Sequence, residues 1–291
     1  MSVRKIDAPA KINLGLEILG KRRDGYHEVR TVLAAISLFD ELVFDSASES
    51  YDSLRLEPDT EDIPSEANLV TKALSAMREA GADIPPQRIS IVKRIPAAAG
   101  FGGASSDAAA TLRAFSPELA TAEIDAADLA VSLGSDVPFF LNGPVALAAG
   151  RGEALSPLPR SARDVWVVLA MPDLEIPEKT RTMYSAIDPA WWSDGSRAGR
   201  IAENLPTVPT SAPFNVFERA LLRIHPELEI WRRGLREAGF PFVALTGAGP
   251  THYTLALSQE QARDIQAQLS SIGVQAITAC LLSRWEGADD Q

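Results

Sequence analysis

The chain has 291 residues, 46% of them apolar and 23% charged, a globular mix that excludes a disordered tract, a collagen or a coiled-coil rod. Its 28 Lys and Arg against 39 Asp and Glu leave a net charge of −11, which argues against a general nucleic-acid binder, since that role needs a basic face. The charge is uneven: residues 1–30 hold seven bases and four acids (+3) and residues 40–66 ten acids and one base (−9), so a basic corner can still meet an anion.

In chain order, Ile12, Leu14, Leu16 and Ile18 alternate with Asn13, Gly15 and Glu17. That is the period of a strand with one buried face, and it sets Lys11 and Asn13 side by side on the other, open face. Asp24-Gly25 is a turn signal, so residues 6–35 read as strands around it. Leu69, Ala73, Leu74 and Met77 predict a helix over 65–80, and Ile89, Ile91 and Val92 a short strand over 88–93. A glycine-rich stretch at 96–106 runs into an alanine-rich helix to about Phe115, and a second helix over 123–133 stops at Gly134. Composition changes at 156–163 (SPLPRSAR), which reads as a linker between a domain at 1–158 and another at 159–291. Beyond it the predicted order is strand (165–170), helix (215–238), strand (242–246), strand (251–257), helix (259–272) and strand (274–281). That order suits a ferredoxin-like split βαβ half, and the whole reads as α+β. Residues 187–213, with Trp191, Trp192 and four prolines, read as a long surface excursion or lid.

The single Cys280 excludes an intramolecular disulfide or a multi-cysteine zinc site and reads as packing. His225 and His252 lack metal-ligand spacing and read as structural. The opening MSVRKIDAPAKINL lacks the apolar stretch of about 7–15 residues of a signal peptide. No run reaches the ~18 apolar residues of a membrane span, so the expected compartment is the cytoplasm.

The most informative segment is Pro96-Ala97-Ala98-Ala99-Gly100-Phe101-Gly102-Gly103-Ala104-Ser105-Ser106-Asp107. Glycines let the backbone approach a ligand, and a helix N-terminus offers free N–H groups and partial positive charge, which together make an anion site. Ser105 and Ser106 can cap the helix and also bond a phosphate oxygen or a hydrated magnesium ion. A Walker A loop would need Lys-Ser or Lys-Thr after the last glycine, and the dinucleotide fingerprint a Gly or Ala where Ser105 stands. On the loop by itself, a flexible segment before a well-capped helix is the other reading.

Three further segments resemble one family in the right order. Pro9-Ala10-Lys11-Ile12-Asn13-Leu14 and Asp24-Gly25-Tyr26-His27-Glu28 resemble the opening of the GHMP kinases. Residues 96–106 are similar to their ATP phosphate loop, Gly134-Ser135-Asp136-Val137-Pro138-Phe139-Phe140 to their catalytic-aspartate segment, and Leu245-Thr246-Gly247-Ala248-Gly249-Pro250 to their C-terminal glycine motif. The resemblance spans nearly the whole chain. It implies a two-domain fold with an N-terminal ATP-binding α/β domain and a C-terminal ferredoxin-like domain, and an ATP- and magnesium-dependent phosphotransferase. Asp-Gly-Tyr-His paired with Gly-Ser-Asp-Val-Pro-Phe-Phe resembles the members that phosphorylate the tertiary 2-hydroxyl of a cytidine-diphosphate-linked methylerythritol, on the non-mevalonate isoprenoid route. The chain departs from the pattern at Ala104, Thr246 and Pro250.

The resemblance implies Asp136 as base or orienter, partly desolvated by its apolar run, and Lys11 as its partner at the transferring phosphate. It implies Asn13, Tyr26, His27, Thr180 and Tyr184 at the substrate, with Tyr26 and Tyr184 on the two faces of the cytosine. Asn68 and Lys93 match positions near adenine, and residues 96–106 hold the phosphates. Read on spacing, Asn68 equally fits a helix start, Lys93 a strand-end charge, Tyr26 and His27 hairpin packing, and Tyr184 the core. Lys11, Lys93, Arg94 and a helix N-terminus are then expected around the phosphates, with the acids of 40–66 and Glu286, Asp289 and Asp290 as remote solvation. The partners expected are small molecules, on a monomer or weak homodimer. A related kinase for homoserine, mevalonate or a sugar, and a catalytically silent metabolite sensor, are the alternatives.

Overall fold

A computed structural model describes residues 3–47, 50–58, 67–159, 164–205 and 213–283. Strands β1 (Arg4–Lys21) and β2 (His27–Ser46) form a long antiparallel hairpin whose turn falls at Asp24-Gly25. Then follow β3 (Ser53–Glu57), α1 (Leu69–Glu79), β4 (Gln87–Val92), α2 (Gly103–Ala114), α3 (Ser116–Thr121), α4 (Ala126–Leu133) and α5 (Phe139–Asn142). Strands β5 (Val145–Ala149) and β6 (Ala154–Pro157) complete a sheet of order β3-β4-β2-β5-β6, with β1 paired to β2.

The second half runs β7 (Trp166–Met171), α6 (Lys179–Ser185), a 3-10 turn (Pro189–Trp191), α7 (Ser196–Asn204), α8 (Val216–Ile224) and α9 (Leu228–Glu237). It ends with β8 (Ala244–Leu245), β9 (His252–Ala256), α10 (Gln259–Ser271) and β10 (Gln275–Cys280). Its sheet order β10-β7-β9-β8 is the 4-1-3-2 order of a split βαβ unit, so the fold is α+β with a ferredoxin-like second half.

Several expectations need correction. The helix expected over 215–238 is two helices, because Pro226 has no N–H and its ring clashes with the preceding turn; α8 ends at Ile224 and α9 opens at Leu228. The strand expected over 242–246 is two residues long. The expected linker begins inside β6, while 160–163 lie outside the described residues. The 187–213 excursion carries α7, whose buried Ala198 and Ala202 pack toward β1, and the Glu17 carboxylate caps it by accepting from the Ala198 N–H at 2.7 Å. Residues 206–212 of that segment, 65–66 of the expected helix start, and Glu286, Asp289 and Asp290 lie outside the described residues.

Strand β1 has no open face. Ala8 to Leu16 are all buried, since α2 and the second half cover the side that alternation left to solvent. One apolar cluster (Phe44, Leu74, Ile91, Leu112, Phe140) lies between the first sheet and α1, α2 and α5. Another (Ile12, Val32, Phe101, Val167, Leu169, Tyr253) joins the two sheets. The polar residues Lys11, Asn13 and Thr31 are therefore buried at the junction of the halves.

Candidate active site

At that junction a cleft of about 830 Å³, large enough for a nucleotide-sized ligand, is lined by residues from both halves. It brings together Lys11, Asn13, Tyr26, His27, Gly100, Gly102, Ser105, Asp136, Thr180 and Tyr184. Of the residues proposed from sequence, Asn68, Lys93, Pro96, Ala97, Ala98, Ala99, Phe101, Gly103, Ala104 and Ser106 are not among those lining it.

Lys11 is 5% exposed, and a buried ammonium needs partners. Its Nζ donates to Asn13 Oδ1 at 2.9 Å and lies 3.7 Å from Asp136 Oδ2. Asn13 is itself fixed: Oδ1 also accepts from the Gly247 N–H (3.0 Å), and Nδ2 donates to Thr31 Oγ1 (2.8 Å). Its backbone N–H donates to Thr246 Oγ1 at 3.1 Å, so threonine at this departure from the family pattern supplies the hydroxyl the contact needs. Asp136 follows the end of α4. Val137, Phe139 and Phe140 anchor its loop in the core, and the Asp136 side chain is partly buried at 38% exposed.

The glycine-rich loop arrives as an uncapped helix. Gly102 is the N-cap of α2 in the left-handed region (φ 74°), and no side chain caps the helix. Ser105 and Ser106 are in the first turn and not caps, which corrects their expected capping role; Ser106 is buried with an unpartnered hydroxyl. The N–H groups of Gly103, Ala104 and Ser105 have no partner within the helix and carry its partial positive charge. The loop is pinned by the Lys11 N–H on the Phe101 carbonyl (2.9 Å). At Gly100 (φ 92°) an added Cβ would meet the Thr246 carbonyl at 3.1 Å, so this close crossing favours glycine.

Lys93 bonds the carboxylates of Asp40 and Asp107, the latter at 2.7 Å. Asp40 is fully buried and also accepts from the N–H groups of Arg94 (2.6 Å) and Ile95 (2.8 Å), fixing the start of the loop. Burial pushes the Asp107 carboxyl up to about 7, against the pull of Lys93. Arg94 meets Glu41 at 3.7 Å. Two of the three cations expected at the phosphates, Lys93 and Arg94, are thus engaged by carboxylates, and Asp40 is a structural anchor instead of remote solvation. Asn68 caps α1, its Oδ1 accepting from the Val70 N–H at 2.9 Å.

At the far end, His27 and Tyr184 stack with ring centres 5.0 Å apart and 25° between planes, and Tyr184 meets Phe217 edge-on at 4.9 Å. The ring stacked on Tyr184 is thus that of His27. Tyr26 is 55% exposed beneath the Arg151 guanidinium, 5.0 Å from its ring centre. Burial, with the charge of Lys21, holds the His27 imidazole below its usual range and so neutral at pH 7. Burial and Asp136 push the Tyr184 hydroxyl up to about 12. Thr180 and Tyr184 share α6 one turn apart.

Sequence reasoning missed Thr31, Arg151 and Lys179, all of which line the cleft. Arg151 sits in the β5–β6 turn and Lys179 just before Thr180; neither carries a spacing signal.

Residues 68–144 match the family model of the GHMP kinases N-terminal domain, and residues 193–275 that of the GHMP kinases C terminal. A 4-diphosphocytidyl-2-C-methyl-D-erythritol kinase of Dehalococcoides mccartyi is 37% identical over 279 residues, 92% of this chain and 95% of its own. The Thermus thermophilus enzyme of that name is 37% identical over 266 residues, 91% and 92% of the two chains. A crystal structure of 4-(cytidine 5'-diphospho)-2C-methyl-D-erythritol kinase superposes with a TM-score of 0.80 at 35% identity, covering 96% of this chain and 99% of the other. Homoserine kinase from Cytophaga hutchinsonii shares the fold, with a TM-score of 0.65 at 15% identity over 99% and 96% of the chains.

Proposed function

The chain belongs to the GHMP kinases, and on that premise we propose that it transfers the terminal phosphoryl group of ATP to the 2-hydroxyl of 4-diphosphocytidyl-2-C-methyl-D-erythritol. The products are the 2-phosphate and ADP, within the methylerythritol phosphate route to isoprenoid precursors. One observation carries the mechanism: Lys11 and Asp136 meet at 3.7 Å in a cleft that has an uncapped helix N-terminus and an aromatic stack among its walls.

Phosphoryl transfer needs positioning, charge neutralisation and a group that orients the attacking hydroxyl. Asp136 accepts the proton of the 2-hydroxyl or aims it. Lys11, held by Asn13 and facing Asp136, bonds a transferring oxygen. The free N–H groups of α2, with Ser105, bind phosphate oxygens. Tyr26, His27, Thr180 and Tyr184 hold the cytidine end, and Asn68 and Lys93 belong to the adenine side of the loop, Lys93 by fixing it in place. Among the described residues no cluster of three or more His, Cys, Asp or Glu could hold a metal ion. Magnesium would be held against the ATP phosphates by oxygen donors of this chain, the Ser105 and unpartnered Ser106 hydroxyls and Asp136, and would neutralise phosphate charge. Residues 1–158 form the nucleotide domain and 159–291 the second one, in a monomer or weak homodimer of the cytoplasm. No helix among the described residues is long and apolar enough to cross a membrane.

A coupled ATP-turnover assay tests this against the cytidine-linked substrate, homoserine, mevalonate and a sugar. Turnover with the tethered substrate is expected. Turnover confined to an untethered one overturns the reading.

A further inference from the structure

Lys179 opens α6 and lines the cleft, yet the scheme above gives it no part. Its Nζ donates to the Ala98 carbonyl at 2.5 Å and to the Gly249 carbonyl at 2.8 Å. The first belongs to the glycine-rich loop and the second to the C-terminal glycine turn, so this ammonium spans the seam between the halves. An ammonium has three donors, and two are used. Among the described residues no carboxylate lies within ion-pair distance of it. The cleft lining carries Lys11, Lys21, Arg151, Lys179 and Arg181 against one carboxylate, Asp136. A half-buried cation without a counter-charge, in a cavity so positive, is compensated by what the cavity binds.

We infer that Lys179 is a phosphate ligand supplied by the second half, its free N–H bonding a non-bridging oxygen of a polyphosphate held between the α2 N-terminus and the C-terminal glycine turn. The inference rests on the kinase reading and adds a contact to it. Two phosphate sources share the chemistry, ATP and the diphosphate of the cytidine substrate.

Burial and the nearby Lys11 push the Lys179 pKa down to about 8, so the free protein loses this cation as pH rises through that value, and a bound anion raises it again. The charged groups lining the cleft with it are Lys11 and Lys21 of β1, Asp136 of the loop before α5 and Arg151 of the β5–β6 turn, and Lys11 is the one whose charge acts on it. On α6 itself Arg181 pairs with Glu178 at 2.9 Å, and the Tyr184 hydroxyl lies near 12. His27, at the start of β2, is already neutral in this range. The loop from Pro96 to Ser106 and the turn from Thr246 to Pro250 contain no ionisable side chain.

The test is calorimetric binding of ADP and, separately, CDP between pH 7 and 9.5, where the phosphates are fully ionised. The wild type is expected to lose affinity for one of them above pH 8, approaching tenfold per unit. Lys179→Arg should bind that nucleotide within threefold of wild type at pH 7 and show no alkaline decline. Lys179→Met should bind it about tenfold or more weakly at pH 7, also without the decline, and with an unchanged thermal midpoint. An effect on ADP assigns the contact to ATP, and an effect on CDP to the cytidine substrate. The inference is overturned if Lys179→Met binds both like wild type, if Lys179→Arg keeps the alkaline decline, or if both variants lose affinity and thermal midpoint together, as a purely structural latch would. A wild type that binds neither nucleotide overturns the kinase reading itself.

Discussion

At the scale of single residues, the site is a chain of commitments that leaves one carboxylate free. Asn13 spends its oxygen on Lys11 and Gly247, Lys11 points at Asp136, and Asp136 keeps an exposed flank for the substrate hydroxyl. Replacing it by the isosteric amide keeps the shape and removes the charge. Asp136→Asn should therefore lower kcat by ~10²–10⁴ with the fold intact; steady-state kinetics showing an unchanged kcat would remove Asp136 from the chemistry. His252 carries a different consequence. Its ring is fully buried, with Nδ1 donating to the Pro250 carbonyl at 3.0 Å and Nε2 unpartnered near Trp231. Burial pushes its pKa down to about 3, whereas an unfolded histidine titrates near 6.5. Between those values the unfolded chain binds the extra proton, so this stability is complete above about pH 6.5 and is lost as pH falls. His27 acts in the same sense. The urea midpoint of the wild type should fall between pH 6.5 and 5, and His252→Gln should flatten that slope; an equal slope in both would place the acid sensitivity elsewhere.

At the scale of elements, the glycine-rich loop and α2 are set from both ends. Gly102 turns into the helix with a left-handed backbone, and a Cβ there would meet the Phe140 ring at 3.1 Å and Lys11 Cε at 3.2 Å. Gly102→Ala should displace both Lys11 and the free N–H groups, raising KM for ATP and lowering kcat about tenfold or more, while the left-handed strain costs ~1–2 kcal/mol. A variant with wild-type kinetics would detach the helix start from phosphate binding. At the loop's other end Asp40→Ala leaves Lys93 with only Asp107 and strands two backbone N–H groups, a change worth about 3–5 kcal/mol in denaturant unfolding. A loss under 1 kcal/mol would mean that Asp40 is not the anchor. These elements also show what the sequence carries. The loop-into-helix pattern and the alternation of β1 are legible because residue type and spacing decide them locally, whereas Lys11 and Asp136, 125 residues apart, are paired only through the resemblance to the family. Asp40 and Asp107 are not, because a charge count does not say which carboxylates are buried on a lysine. The cover over β1 is also illegible, since α2 and α7 arrive from residues far along the chain. Pro226 was legible, and the apolar spacing on both sides of it hides the break.

At the scale of the whole molecule, the net charge of −11 describes the outer surface and not the cleft, where cations outnumber carboxylates. The two sheets meet there through Ile12, Val32, Leu169 and Tyr253, and Tyr253 donates its hydroxyl to the Asn13 carbonyl at 3.0 Å. Further bonds cross the seam: Leu16 N–H to the Phe214 carbonyl (2.8 Å), Leu282 N–H to the Ala35 carbonyl (2.9 Å) and Gly247 N–H to Asn13. An apolar core shared by both sheets cannot open on one side without exposing the other, so the halves should unfold together in one calorimetric transition. A ligand seated on that seam stabilises the folded state as a unit. CDP at a hundred times its Kd contributes about 2.7 kcal/mol, which for a chain of this length raises the midpoint by about 4 °C. Two transitions, only one of which moves with CDP, would mean that the halves fold independently and that the cleft is assembled by docking instead of by a common core.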